Sequence, residues 1–288
     1  MKFKWLIWVV LFLILGLTRV FSQTAPQRII SLSPNLTEMI YDLGAQDRLV
    51  GDTDFCKFPP EAEKKEKIGG WVNPNFEKIV SLKPDLVVAL KFHDKAVNTL
   101  KKLNIPVIIY NCDSVEDILE TYTQLGEKLG CEAKAKTARQ ALEKRLAKVK
   151  LKGKGQKPLS VLFVVGRTPG TLNQIYGVGP QTFVDELIQM AGGVNVLHDS
   201  KTGYPLVSKE ELIQRNPDVI IDSVLSHEMK ARKLEKSSTW DQMPVLQAVT
   251  KHHVYYFLDQ DFLIPGPSMV KLGEFLSDTF EKVRADHE

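Results

Sequence analysis

The sequence predicts an α/β protein of two lobes, in which each lobe is a parallel-type sheet with flanking helices and one long rigid helix joins the two. Three observations support this fold class. Apolar strand-like runs alternate with helical patterns, an order that favours parallel sheets covered on both faces. A run without proline or glycine at 131–150 separates two such series. Two segments on either side of that run are similar to each other.

The first series of elements precedes the long helix. RIISL at 28–32 is a short apolar strand, and Ser33-Pro34 behind it suits a helix start with serine as the cap and proline in the first turn. Gly44 would stop this helix. Further strands are predicted at 48–51, 84–90 and 105–111, and further helices at 76–82, 94–103 and 115–129.

The long helix and a second series follow. Residues 131–150 are rich in Ala, Lys, Glu and Arg, so one helix is predicted there. PLSVLFVVG at 158–166 begins the second series, and a helical bridge argues for a stiff connection with small hinge motion. The predicted domains are a signal peptide at 1–22, an N-terminal lobe at 26–130, a bridging helix at 131–152 and a C-terminal lobe at 157–288.

The N-terminus has the layout of a secretory signal peptide. Lys2 and Lys4 precede an apolar stretch at 5–17, which is short for a membrane span, and cleavage is expected near Ser22-Gln23. No cysteine lies near that point, which argues against a lipoprotein anchor. We therefore expect a periplasmic protein. An uncleaved N-terminal anchor, as in a membrane-attached sensor, is the alternative.

The charge balance excludes nucleic acid as a partner. The whole chain has 38 basic and 35 acidic residues, and removal of residues 1–22 takes away three basic residues and no acidic one. The remaining chain is formally neutral. Proteins that bind nucleic acid need a concentrated positive field, which this composition does not supply.

Signals for catalysis, metal and cofactor are weak. The sequence contains no GxSxG, HExxH or P-loop motif, and its histidines lack metal-ligand spacing. Three widely spaced cysteines make neither a disulfide framework nor a zinc site, while pairing of Cys56 with Cys112 stays open. We therefore predict a protein that is not an enzyme and has no catalytic residues, metal or cofactor. The alternative is a secreted enzyme that uses Asp52, Asp54 and Asp261.

Two segments repeat one pattern at a constant offset. GGWVNPNFEK at 69–78 and GYPLVSKEEL at 203–212 each place a glutamate six residues after an aromatic side chain. The first helices of the two lobes are also similar, with Glu38 matching Glu186. The duplication suits two similar lobes rather than a short-period repeat. The pairs separated by 133 residues are Trp71 and Tyr204, Glu77 and Glu210, and Pro84 and Pro217.

The loops behind the predicted strands are rich in aromatic side chains. Ligands of parallel α/β sheets bind at the carboxyl ends of the strands, where these loops lie. Flat rings offer large contact areas at little entropic cost and can enclose a planar or macrocyclic ligand. Packing of some rings into the core is the alternative. The candidate ligand-binding residues are Phe58, Trp71, Phe92, Tyr176, Tyr204, Asp261 and Phe262, with Phe55 and His93 in the same loops.

Five segments carry a resemblance to a known family. Over residues 27–285 the chain resembles the periplasmic binding proteins of class III ABC importers, a group that takes up cobalamin, haem and iron-siderophores. The fold of that group has two lobes joined by one long helix. The segments are SLSPNLTEMIYDLG (31–44), CKFPPEA (56–62), IGGWVNPNFEKIVSLKPDLVVA (68–89), GPQTFVDELIQMAGGVNV (179–196) and GYPLVSKEELIQRNPDVII (203–221).

The resemblance is strongest to the vitamin B12-binding branch of the family. It implies that a monomeric protein captures a small-molecule ligand, a corrinoid, and delivers it to an ABC permease/ATPase complex in the inner membrane. The loop 258–268 departs from the branch, with Gln260 where an acidic contact is expected and Ile264 where a basic one is expected. The aromatic positions that the resemblance places along the corrinoid cleft are Phe58, Trp71, Tyr176 and Tyr204.

The resemblance also implies a role for the duplicated glutamates. In the family such a pair projects from the two lobes and docks onto arginines of the two permease subunits, which assigns permease docking to Glu77 and Glu210. Asn75 and Ser208 can cap the helices that carry them, so both glutamates fall in a first turn, where the helix dipole favours negative charge. The simpler interpretation is that they only stabilise these helices.

Haem or a ferric siderophore is the alternative ligand within the same class. Haem would need a tyrosine or histidine axial ligand, for which Tyr204, Tyr176 and His93 are candidates. Siderophores with anionic groups would need arginines in the cleft loops. The loop 55–58 has only Lys57 as a basic residue, and the loop 258–266 has none, so the sequence favours the corrinoid.

Overall fold

The computed structural model describes residues 25–223, 239–257 and 264–286. Its N-terminal sheet has four strands in the order β2-β1-β3-β4, and every neighbouring pair is parallel. The parallel sheet predicted for this lobe is therefore confirmed. The strands are β1 (Ile29–Ser31), β2 (Leu49–Gly51), β3 (Leu86–Leu90) and β4 (Val107–Tyr110).

The helices of the N-terminal lobe lie close to their predicted positions. Proline at 34 begins the first of them, but the Ser33 hydroxyl does not cap it and donates instead to Asn35 Oδ1 at 2.6 Å. Gly44 follows this helix with φ +65°, a conformation that glycine adopts without strain. The helices are α1 (Pro34–Asp42), α2 (Phe76–Ser81), α3 (Asp94–Lys102) and α4 (Val115–Leu129).

One long helix, α5 (Glu132–Gly153), connects the lobes and packs tightly on α4. A Cβ atom at Gly126 of α4 would lie 2.3 Å from the Cβ of Ala135 in α5, so only glycine permits this approach. Further along α5, Leu142 and Leu146 are buried in a core cluster that contains side chains of both lobes. The bridge is thus part of the core rather than a free linker.

Ion pairs attach α5 to a helix of each lobe. Arg139 reaches Glu116 and Glu120 of α4 at 2.9 and 3.1 Å. Arg145 makes a bidentate contact with Glu274 of the C-terminal helix, at 2.9 and 2.7 Å. Such exposed pairs contribute little energy singly. They do connect α5 to one helix of each lobe.

The C-terminal sheet has six strands within the described residues, in the order β10-β9-β5-β6-β8, with β7 paired to β5. Strands β5, β7, β9 and β10 are mutually parallel, as the predicted fold class requires. Strands β6 and β8 are antiparallel and were not predicted from the sequence. The strands are β5 (Leu159–Gly166), β6 (Ile175–Gly177), β7 (Gly193–Asn195), β8 (Leu206–Val207), β9 (Val219–Asp222) and β10 (Val254–Tyr256).

Within the described residues, four α-helices accompany this second sheet, and the last of them packs against α5. A hydrophobic cluster around the buried Trp240 contains side chains of β5, β6, β8 and β9. None of the helices in the described ranges combines the length and hydrophobicity that a membrane crossing requires. The helices are α6 (Phe183–Met190), α7 (Lys209–Arg215), α8 (Gln247–Thr250) and α9 (Met269–Ala285).

Matching glutamates of the two lobes reach across to the opposite lobe. The carboxylate of Glu38 in α1 accepts a hydrogen bond from Ser268, the residue that precedes α9. The carboxylate of Glu186 in α6 accepts a bond of 2.8 Å from the backbone N–H of Val115, the first residue of α4. Each carboxylate therefore lies at the N-terminus of a helix of the opposite lobe, where the helix dipole stabilises negative charge. Asn35 adds a third contact, to the Pro265 carbonyl at 2.8 Å.

Candidate functional site

Three aromatic side chains of the N-terminal lobe pack together near the carboxyl end of strand β3. Phe92 lies two residues beyond the end of this strand, and its ring meets the Trp71 ring edge to face, with 5.3 Å between ring centroids and an interplanar angle of 87°. His93 packs against both rings, at centroid distances of 4.4 Å from Phe92 and 6.2 Å from Trp71. Two separate loops thus contribute to one aromatic surface at the carboxyl end of the sheet, where ligands of such sheets bind.

His93 is the buried member of this cluster. Its Nδ1 accepts a hydrogen bond of 3.0 Å from the backbone N–H of Leu90. Burial lowers the pKa of His93 to about 4, so the ring is neutral near pH 7. Since Nδ1 uses its lone pair as an acceptor, the neutral ring carries its proton on Nε2. This Nε2 is buried without a hydrogen-bond partner among the described residues.

The loop that follows strand β2 in the chain carries two further aromatic side chains, Phe55 and Phe58, toward the same region. The Phe55 ring lies beside Gly70, 3.9 Å from the position that a Cβ atom there would occupy. Phe58 instead faces helix α9, whose Lys271 places its Nζ 5.1 Å from the ring centroid. Such a cation over an aromatic face is attractive. Phe58 therefore lies next to the C-terminal lobe, while Phe55 lies next to the loop of Trp71.

A buried ion pair anchors the base of that loop. Asp52 is fully buried, and its Oδ1 accepts a bond of 2.7 Å from Lys67, which also donates to the Cys56 carbonyl at 3.1 Å. Burial raises the pKa of Asp52 to about 6. Because this carboxylate is buried, it does not offer the acid/base chemistry that the enzyme alternative requires.

Cys56 and Cys112 do not pair with each other, since both are free thiols.

The tyrosines of the C-terminal lobe are joined by the unpredicted antiparallel strands. Tyr176 lies within β6 rather than in a loop, and it pairs with Leu206 of β8, two residues after Tyr204. The Gly179 N–H donates to the Gly203 carbonyl at 2.8 Å. A Cβ atom at Gly179 would lie 2.2 Å from a backbone oxygen, so glycine is required for this close approach.

These aromatic rings are exposed to solvent rather than packed in the core. The large aromatic side chains that are exposed in the described ranges are the same six that the sequence places at strand ends. Core packing, the alternative interpretation, accounts for none of them. Asp261 and Phe262 lie outside the described residues. The six side chains are Phe55, Phe58, Trp71, Phe92, Tyr176 and Tyr204.

The duplicated glutamates lie on two equivalent short helices. Asn75 accepts a hydrogen bond of 2.9 Å from the Lys78 N–H and caps α2, and Ser208 caps α7 through a bond of 3.1 Å from Glu211. Glu77 and Glu210 are then exposed in the first turns, as predicted. The backbone N–H of Glu210 itself, followed by the Ser208 hydroxyl, lowers the pKa of the Glu210 carboxylate.

An arginine at the end of β5 was not singled out from the sequence. Arg167 donates to the buried Asp222 at 2.8 Å, and the indole N–H of Trp240 donates to the same carboxylate oxygen at 2.8 Å. Its position directly behind a predicted strand could have identified it as a cleft residue. The pair is almost inaccessible, with side-chain exposures of 6% and 1%, so Arg167 is committed to Asp222 rather than available to an anion.

Two pockets of the described residues lie away from these rings. One of about 540 Å³ lies between α1, α4 and α5, and another of about 670 Å³ lies between α5 and α6. None of the exposed aromatic residues lines either of them. Residues 25–223, 239–257 and 264–286 contain no cluster of three or more metal-ligating side chains. The candidate site described by these residues is thus a set of exposed aromatic side chains on both lobes.

Two α/β lobes joined by one helix, with aromatic rings at the strand ends, define a two-lobed binding protein. The family described as "Periplasmic binding protein" matches residues 29–260, and the chain belongs to this family. A Bacillus subtilis (strain 168) relative, an uncharacterised ABC transporter substrate-binding lipoprotein, is 32% identical over 88% of this chain and 80% of its own. A Salmonella typhi vitamin B12-binding protein is 34% identical over 68% of this chain and 72% of its own.

Solved structures share the fold. The periplasmic vitamin B12-binding protein of Vibrio cholerae has a TM-score of 0.78 and 24% identity, covering 90% of this chain and 98% of that one. A haem complex of S. aureus IsdE has a TM-score of 0.71 and 26% identity, covering 88% and 98% of the two chains. The chain is therefore a periplasmic binding protein of the ABC importer type, and its relatives include vitamin B12 and haem binders.

Proposed function

We propose that this protein captures a corrinoid between its two lobes and delivers it to an ABC permease. The observation that carries the proposal is the set of six exposed aromatic rings, which come from both lobes. A macrocycle with large apolar faces is the kind of ligand that such rings enclose. The vitamin B12-binding relatives support the same ligand class.

The hydrogen bond at His93 argues against this residue as a haem ligand. Axial ligation through Nε2 requires a free lone pair there, but the hydrogen bond from Leu90 to Nδ1 places the ring proton on Nε2. A tyrosine ligand binds iron as the tyrosinate, and Tyr204 and Tyr176 are both exposed, so haem would depend on one of these two. The haem-binding relative keeps haem as the second candidate.

An anionic siderophore fits less well than a corrinoid. Such a ligand needs arginine side chains with unused donors in the cleft. Arg167, at the end of β5, is buried against Asp222 and also donates to the Thr171 carbonyl at 3.1 Å. Nearer to the aromatic rings, Lys271 lies over Phe58. Lysines such as Lys57 and Lys271, rather than arginines with unused donors, beside an aromatic surface suit a neutral amide-bearing macrocycle better than a multiply charged chelate.

Localisation and domain boundaries complete the proposal. We infer that residues 1–22, which lie outside the described residues, direct the chain to the periplasm and are removed near Ser22-Gln23. The remainder acts as a monomer with lobes at 26–130 and 157–288 around the helix α5. N-terminal sequencing of the mature protein tests this part directly. A first residue at or near Gln23 supports it, and an intact N-terminus would contradict it.

Fluorescence titration tests the ligand assignment. After removal of residues 1–22 the chain retains two tryptophans, the cleft residue Trp71 and the buried Trp240. Cyanocobalamin, haemin and a ferric hydroxamate would each be titrated into the parent and into Trp71→Phe. We expect saturable quenching by cyanocobalamin at micromolar concentrations, with a larger amplitude in the parent. Saturation by haemin or by the hydroxamate, with none by cyanocobalamin, would contradict the corrinoid assignment.

Permease docking gives a separate prediction. Glu77→Ala combined with Glu210→Ala should leave the melting temperature and ligand affinity nearly unchanged but weaken association with the permease and ligand uptake. Charges at such a contact act on association rate and register, so the defect should shrink as salt concentration rises. The measurement is the association rate with reconstituted permease at two salt concentrations.

A matched control separates docking from helix stabilisation. Glu132 is also an exposed glutamate in the first turn of a helix, α5, but it has no counterpart in the duplicated segments. Glu132→Ala should therefore dock and transport like the parent. Normal transport by the Glu77/Glu210 double variant, or an equal defect in Glu132→Ala, would remove the docking assignment.

A further inference from the structure

The duplication of helices α2 and α7 extends beyond their glutamates. Two residues after the glutamate, Ile79 and Leu212 are both completely buried. One residue further, Val80 and Ile213 are both exposed, at 48% and 45% of their surface. These pairs also keep the offset of 133 residues. Each helix thus uses one aliphatic side chain for the core and presents the next one to solvent.

The exposed aliphatic side chain lies on the same helix face as the docking glutamate. Residues three apart on a helix are surface neighbours, so Val80 adjoins Glu77 and Ile213 adjoins Glu210. Nine aliphatic side chains are exposed among the large apolar residues of the described ranges, and four of them lie at 71–84 or 204–217, the stretches that keep the offset of 133 residues. The other two of these four are Val72 and Leu206, which lie between the cleft aromatic residue and the glutamate.

We propose that Val80 and Ile213 form the apolar half of the permease-docking surface, one on each lobe. This inference rests on the proposed delivery to an ABC permease. The partner that fits is a permease with two equivalent subunits, each presenting a basic side chain beside an apolar contact. The glutamates then direct association, and the aliphatic side chains exclude water and slow dissociation. The cleft rings play no part in this contact.

Charge distinguishes this partner from a second copy of the chain. A symmetric dimer built on either helix would bring the same patch of two chains together, and with it two like-charged glutamates. Charges of equal sign at an interface are unfavourable. A basic permease surface pairs with both glutamates, and two equivalent patches on one chain match two equivalent subunits.

The test first identifies the partner complex. This is the ABC permease–ATPase complex whose ATPase activity the parent protein stimulates in proteoliposomes. Dissociation of parent, Val80→Thr/Ile213→Thr and Glu77→Ala/Glu210→Ala from this complex would be followed at low and high salt. The threonine variant should bind about tenfold more weakly through faster dissociation, nearly independent of salt, because apolar burial is lost. Thermal melting should show both variants folded, since the substituted side chains are exposed.

Val194→Thr is the matched control. Val194 is exposed to 45%, and it pairs with Ser160 near the start of β5, away from the strand ends that form the cleft. This variant should bind the permease like the parent. Parent-like dissociation of Val80→Thr/Ile213→Thr, together with weakened docking of the glutamate variant, would overturn this inference and keep the docking proposal. Failure of the parent to engage any permease would overturn both.

Discussion

Trp71→Ala and Tyr204→Ala should each weaken cyanocobalamin binding by about 1–3 kcal/mol, the range for losing a large aromatic contact. This corresponds to roughly a fivefold to 150-fold rise in Kd. In the free protein Trp71 and Tyr204 are exposed to 40% and 51%, so truncation costs little folding energy. Calorimetric titration of both variants measures the effect, and the two should act from opposite lobes.

Ring-preserving variants make this prediction specific. Trp71→Phe and Tyr204→Phe keep a flat apolar face, so they should lose less affinity than the alanine variants. Leu151→Ala removes an exposed side chain from α5, in the pocket between α5 and α6 that none of the aromatic residues lines, and should bind like the parent. If both alanine variants bound cyanocobalamin as tightly as the parent, the aromatic surface would not be the ligand site.

We expect the free energy of unfolding of the parent protein to fall as pH rises, and Glu38→Gln to abolish this fall. Burial raises the pKa of Glu38 from 4.5 to about 7, against the effect of its hydrogen bond with Ser268, and the charge of Asp42 adds to the rise while Lys271 opposes it. The folded state thus binds this proton more tightly than the unfolded state. The stabilisation is complete below pH 4.5 and is lost as pH rises through about 7.

The expected size follows from the shift in pKa. A rise from 4.5 to about 7 corresponds to about 3 kcal/mol of unfolding free energy lost between pH 4.5 and pH 8. Urea unfolding of parent and Glu38→Gln at pH 5 and pH 8 measures the difference. Asp52 titrates in the same direction in both proteins and cancels. Ser268→Ala keeps the carboxylate and should retain the pH dependence; an unchanged profile in Glu38→Gln would refute the assignment.

Local patterns account for most of the fold. Helix α4 was predicted at its observed bounds because Ser114 caps it, apolar residues recur at helical spacing, and Gly130 ends it with φ +63°. Strands β6, β7 and β8 were missed because two or three residues carry no detectable period. Their pairing depends on contacts between residues about thirty positions apart, which a local pattern does not encode.

The candidate site, like the fold, could be predicted only in part from the sequence. The aromatic positions could be predicted because residues behind strands occupy one edge of a parallel sheet. The proton position on His93 could not, since it depends on a single hydrogen bond from Leu90. The cross-lobe contacts of Glu38 with Ser268 and of Glu186 with Val115 join residues 230 and 71 positions apart. Only the folded arrangement brings such groups together.

Ligand retention tests the central claim most directly. Purified protein lacking residues 1–22 would be mixed with excess cyanocobalamin, passed through a desalting column and examined by visible absorption, with a parallel sample given haemin. The proposed function predicts about one equivalent of cyanocobalamin retained per chain, with retention reduced in Trp71→Ala and Tyr204→Ala. A colourless protein after cyanocobalamin, or stoichiometric retention of haemin instead, would contradict it.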